Sequence, residues 1–133
     1  MAPRTVLLAG ALAVVSAGVV LAVGSQSAST SDGVYTVEQA TEGKELYLQV
    51  CESCHQPAKF VGAEFTRAYV GRPLSGIDAA MVEMPMDNPG SLTREDIATL
   101  IAYFLEMNKY PAGPTPLNGE AAALKGIMVG PLP

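Results

Sequence analysis

Cys51-Glu52-Ser53-Cys54-His55 holds both cysteines and the only histidine of this 133-residue chain. Four chemistries use cysteines at this spacing. A structural disulfide does not require His55, and so short a bridge closes too small a loop to stabilise much. Zinc takes four protein ligands, or three and a water. Only three soft ligands exist here, and an imidazole directly after a cysteine is poorly placed for a tetrahedron. A thioredoxin-like redox pair follows a βαβ pattern, which the flanking residues lack. The pentapeptide does meet the rule for covalent haem attachment. Two thiols separated by two residues each add across a porphyrin vinyl group, and the adjacent imidazole becomes an iron ligand. The sequence predicts one haem c held by Cys51 and Cys54, with His55 as the proximal iron ligand.

With His55 committed, no second imidazole is left for the far side of the iron. Methionine, lysine, water or an open position remain. Met81, Met84 and Met86 lie 26 to 31 residues beyond His55, in AAMVEMPMDNPG. A thioether ligand raises the reduction potential of the iron. Methionine is more often a core filler than a ligand, and two of these three must be fillers or exposed. Pro85 disfavours the α-region for Met84, so a short helix is expected to end there and aim the side chain across the porphyrin. Met84 is the expected distal iron ligand, with Met86 as the alternative.

Upstream, Thr36 is a candidate N-cap for a helix over 37–50 that runs directly into the cysteines. Val37, Ala40, Leu46, Tyr47 and Val50 form its apolar stripe. Gly43 costs such a helix up to about 1 kcal/mol relative to Ala, which suggests either close approach by another backbone or simple tolerance. Residues 56–90 read as irregular, with one short helix from Ser75 to about Glu83. Thr93-Arg94-Glu95-Asp96 resembles a capping box, with Asp where Glu or Gln is usual. Behind it Ile97, Leu100, Ile101, Phe104 and Leu105 repeat with helical period, and Asn108 and Pro111 close the helix. A short helix is expected from Glu120 to Lys125 inside a Pro/Gly-rich extension over 111–133. No stretch alternates as a strand does, so the expected fold class is all-α.

A charge-free run from Val6 to Gly24 follows Arg4. That is the layout of an export signal, although about 18 or more apolar residues also suffice to span a bilayer. Residues 1–24 are therefore expected to be a signal peptide or a membrane anchor, 25–35 a linker and 36–110 the folded domain. Arg4 keeps the N-terminus inside, so the remainder is expected to be exported. Beyond residue 24, 7 basic and 13 acidic residues leave a net charge of −6. Such a balance argues against nucleic acid and anionic lipid as main partners. The exported part is small and has no Trp, a thin core for which a bound cofactor acts as a staple.

Taken with these residues, the chain resembles the class I, mitochondrial-type monohaem cytochromes c over about Thr36 to Val129. The resemblance implies a cytochrome c-type fold, in which N- and C-terminal helices cross near a right angle around one covalently bound haem. It also implies that Gly43 and Tyr47 meet Leu100 and Tyr103. The stretch MPMDNPGSLTREDIATLIAYFLEMNKYPAG and the tail PLNGEAAALKGI are similar to bacterial periplasmic cytochromes that accept electrons from quinoprotein or molybdopterin dehydrogenases. One departure stands out. The family carries a proline about a dozen residues after the haem histidine, and its carbonyl orients the imidazole as an outer partner of the metal. Here Pro57 follows His55 by two residues, so a carbonyl around Val61 to Ala63 is expected to serve instead.

The function this implies is electron transfer without enzymatic activity of its own. A periplasmic dehydrogenase is the expected donor, and an oxidase or another cytochrome the expected acceptor. Arg67 and Arg72 are candidates for haem propionates, because Arg suits planar carboxylates; a solvated surface role is the equal alternative. Two rival readings stay open. One is a haem sensor or enzyme with an open iron site, and the other is a structural or anchored haem subunit of a larger redox complex.

Overall fold

The structure is a computed structural model that describes residues 28–133. The expected signal or anchor over 1–24 lies outside the described residues, among which no helix is long and apolar enough to cross a membrane. Five α-helices dominate: α1 (Val37–Val50), α2 (Gly62–Tyr69), α3 (Ser75–Met81), α4 (Arg94–Met107) and α5 (Ala121–Lys125). Two two-residue strands, β1 (Ala28–Ser29) and β2 (Ile127–Met128), pair in parallel. The fold is mostly α, as the periodicity predicts.

Local chemistry sets the ends of the two long helices. The Thr36 hydroxyl accepts a bond from the Gln39 amide at 3.2 Å and starts α1. At α4 the Thr93 hydroxyl accepts from the Asp96 amide at 3.1 Å, while the Asp96 carboxylate accepts from the Thr93 amide at 2.8 Å. Asp therefore closes the capping box in the role usually filled by Glu. Every residue of α4 from Ile97 to Leu105 is buried. A helix covered on all sides is the centre of a fold, not its surface.

Helix α1 packs on α4 at Gly43. A Cβ placed there would lie 1.8 Å from the Thr99 carbonyl oxygen and 3.1 Å from the Tyr103 Cβ. Close approach of a second backbone is thus the reason for the glycine. It also redirects the buried face of α1, which consists of Gln39, Ala40, Gly43 and Tyr47. Val37, expected on that face, is 55% exposed, because the contact is centred one turn further along.

The structure differs from the expected boundaries in four places. Helix α2 and a 3-10 turn at Pro57–Phe60 occupy a stretch expected to be irregular; they are too short to show a period, α2 burying Phe65 alone and the turn no residue. Helix α3 stops at Met81, earlier than expected, because Val82 and Glu83 are exposed and find nothing to cover them. The described part of the expected linker is built into the body. Thr30 and Tyr35 are buried, the Tyr35 hydroxyl donates to the Tyr110 carbonyl at 2.7 Å, and the Gly130 amide donates to Thr30 Oγ1 at 3.0 Å. The extension over 111–133 is likewise part of the core, which takes in Leu117, Leu124 and Val129. Gln39 binds this tail at both ends of its amide, donating to the Leu117 carbonyl at 2.9 Å and accepting from its amide at 2.7 Å.

Candidate functional site

Helix α1 ends at Cys51, and the chain then winds into a tight turn. The Cys54 and His55 amides both donate to the Cys51 carbonyl, at 3.1 and 2.9 Å. This winding brings Cys51, Cys54 and His55 to one cavity of about 660 Å3, within the roughly 300–1,000 Å3 range of cofactor sites. Cys51 and His55 are half-buried and Cys54 is exposed. Neither thiol is in a disulfide. Burial pushes the Cys51 thiol above its ordinary value. A catalytic redox cysteine needs the opposite shift, toward thiolate, so the thioredoxin-like reading gains nothing from the geometry.

Aromatic rings back the histidine. The His55 ring meets Phe60 at 5.7 Å between centroids, and Phe60 stacks on Phe104 at 4.6 Å with the planes 17° apart. Tyr47 packs edge-on to Phe60 and Phe104 and lies tilted against Tyr103 at 5.5 Å. Its hydroxyl donates to the His55 carbonyl, which ties the helix to the turn it has just produced. Burial, chiefly, pushes the Tyr47 phenol from its ordinary value near 10 up to about 12. Asn108 then locks the far end of this wall. Its side-chain amide donates to the Phe60 and Phe104 carbonyls, each at 2.8 Å, and its oxygen accepts from the Gly62 amide at 3.0 Å.

The same cavity is lined by all three candidate methionines, from α3 and the residues after it, with Ile77, Ala80 and Leu92. Their burial separates them. Met81 is 7% exposed and belongs to the core cluster, whereas Met86 is 81% exposed. Met84 lies between these extremes, half-buried at the cavity wall. Leu100, expected opposite α1, also lines the cavity. Among the described lining residues Asp87 is the one with a carboxylate, and none is Lys or Arg.

Arg67 and Arg72 do not line the cavity; Arg67 pairs with Glu64 on the outer face of α2, where both are exposed, and Arg72 is exposed too. An i,i+3 pair on a short surface helix satisfies the arginine locally. The His55 ring makes no hydrogen bond to Val61–Ala63 among the described residues, while Asn108 binds the neighbouring Phe60 carbonyl and Gly62 amide. Sequence reasoning missed Phe60 and Asn108 as parts of the site. An Asn read only as a helix stop gives no sign that its side chain reaches back 48 residues.

The donor set suits a covalently held haem. Two free thiols and the only imidazole share an apolar cavity with three thioethers. Among the described residues no three His, Cys, Asp or Glu side chains converge as a metal cage. No family model, curated protein or solved structure matches this chain.

Proposed function

We propose that this protein is a monohaem c-type cytochrome with a cytochrome c-type fold, working as an electron carrier outside the cytoplasm. The single observation that supports this most is the convergence of Cys51, Cys54 and His55 on one apolar cavity that faces Met84. Haem c supplies one-electron cycling between ferric and ferrous iron when bound. Every other part of the task falls to the chain. Cys51 and Cys54 would hold the group covalently, and His55 would supply a ligand to its iron. The Tyr47 hydroxyl and the Phe60 ring hold the His55 turn in place, which spares reorganisation when the charge changes. Met84 is the distal ligand, because Met81 is a core residue and Met86 is too exposed to exclude water. Leu100, Phe104 and Ile77 keep the interior dry, which favours a high potential.

The acidic chain, with the carboxylate of Asp87 at the cavity mouth, suits redox partners that present basic groups. A periplasmic dehydrogenase as donor and an oxidase or cytochrome as acceptor fit that chemistry. The test is expression of the full chain with a haem maturation system. Mass spectrometry of the product is expected to show one added haem. The ferric protein is expected to absorb in the far red, the mark of methionine bonded to iron, and Met84→Ala is expected to remove that band while Met86→Ala keeps it. An unmodified polypeptide ends this reading, and an unchanged band in Met84→Ala ends the ligand assignment.

A further inference from the structure

Building on the haem reading above, we propose that Asp78 and Arg94 are a positioning pair that closes the base of the methionine loop and holds Met84 toward the cavity. The loop, residues 82–93, joins α3 to α4 and carries Met84 and Met86. Asp78 sits one turn before α3 ends, where its carbonyl accepts from the Val82 amide at 3.0 Å. Arg94 is the first residue of α4, directly after the Thr93 cap. The two side chains meet across the stem of the loop, with the guanidinium 2.8 Å from Asp78 Oδ1.

The two partners are differently held. Asp78 is 6% exposed, and its Oδ1 has the Arg94 charge beside it but no aligned hydrogen bond. A buried carboxylate compensated by one charge is costly to keep and strongly disrupted when that charge is lost. Arg94 is anchored from the other side as well, donating from Nε to the Gly119 carbonyl at 2.8 Å. The tail approaches so closely there that a Cβ on Gly119 would lie 1.9 Å from the Arg94 carbonyl oxygen. Arg94 is thus fixed by the tail and offers its charge to α3.

The position of the pair gives it a role that its energy alone does not. Within the loop the backbone bonds are local turns: Met84 to Met81, Asn88 to Pro85 and Ser91 to Asn88. Ile77, Ala80 and Met81 of the same helix line the cavity. The orientation of α3 therefore sets where Met84 begins; Ile77 and Met81 seat the helix in the core, and Asp78–Arg94 is the ion pair that joins it to the start of α4. Fixing the two ends of a loop removes part of its conformational freedom.

The test compares holoprotein variants by two readouts. Imidazole displaces a methionine from ferric iron, so its midpoint reports how firmly Met84 is presented. Amide hydrogen exchange at Met84, Asn88 and Ser91 reports the loop itself, and exchange at Cys54 and His55 reports the opposite wall. Asp78→Asn is expected to lower the imidazole midpoint about tenfold, in line with loss of one charge-assisted contact. It is also expected to speed exchange at the three loop amides and leave the opposite wall unchanged. Arg94→Lys keeps the charge but loses the planar fork, and is expected to shift both readouts less, in the same direction; it serves if Asp78→Asn does not fold. Tyr35→Phe, which removes a buried bond far from the loop, is expected to lower the melting temperature with no change in the imidazole midpoint.

An unchanged midpoint in both loop-stem variants overturns the proposal, as does exchange that rises equally on both walls. A wild-type ferric protein with no far-red band defeats the ligand assignment before any variant is made. In that case loop exchange alone decides whether the pair holds the loop.

Discussion

The two walls of the cavity are built by different means. On the cysteine side, Tyr47, Phe60, Tyr103 and Phe104 interlock, the Tyr47 hydroxyl closes onto the His55 turn, and the Asn108 amide ties residues far apart in sequence. On the methionine side, the backbone bonds of the loop span three residues each, and Met86 is 81% exposed. On the proposed haem reading, attachment needs its thiols and imidazole in fixed relation, and a packed aromatic wall serves that need. A single thioether ligand needs only to be presented, and a short loop held at its two ends does this. The aromatic side is locked by contacts between distant segments, whereas on the methionine side Ile77 and Met81 belong to the core and the loop beyond them does not.

Substitutions on both sides test how deep that difference runs. Replacing Cys51 and Cys54 together with Ala is expected to abolish covalent haem, read by mass after denaturation, while no change in the methionine loop does so. Gly43→Ala drives a Cβ into the Thr99 carbonyl and is expected to cost about 3 kcal/mol in urea unfolding, the range of forced overpacking. Gly90→Ala on the loop meets open space and only a positive φ of 78°, and is expected to cost about 1 kcal/mol. Equal costs would erase the contrast between the walls.

Tyr47→Phe removes one hydroxyl bond on the packed side and is expected to cost about 1 kcal/mol. It also bears on pH. The folded Tyr47 phenol titrates at about 12, above its ordinary value near 10, because burial disfavours the phenolate. A group raised in the fold contributes stability that is complete below pH 10 and is lost as pH rises through about 12. Tyr35, Tyr103 and Tyr110 are shifted in the same direction, also mainly by burial. Tyr47→Phe is therefore expected to lessen the alkaline loss of stability without removing it, measured as the urea midpoint against pH. Met86→Ala has the smallest expected effect, within about 0.5 kcal/mol, as for an exposed side chain away from packed features.

Much of this was legible in the sequence where the signal is local. Thr36 and the Thr93–Asp96 box mark their helix starts because capping is decided within four residues. The stripe of α4 follows from its period, although burial of Ala98, Thr99, Ala102 and Tyr103 around it does not, and the Cys-x-x-Cys-His turn follows from its spacing. Composition misled at both ends of the chain. Ser/Thr-rich and Pro/Gly-rich stretches lack periodicity, so 28–35 and 111–133 read as linker and extension, yet Tyr35, Leu117, Leu124 and Val129 complete the core. Gln39 gave no sign that it pairs with Leu117, nor Asn108 that it binds Phe60. Partners so distant in sequence leave no spacing to read.

The residue types and their order determined that one helix delivers two thiols and an imidazole together, because a helical turn and its following residues obey rules of a few ångströms. Tertiary structure alone decided which methionine faces that group from a half-buried position, which arginine is spent on a buried carboxylate, and which glycine admits a second backbone. Those outcomes depend on where separate segments meet, and burial and charge compensation arise only once they have met.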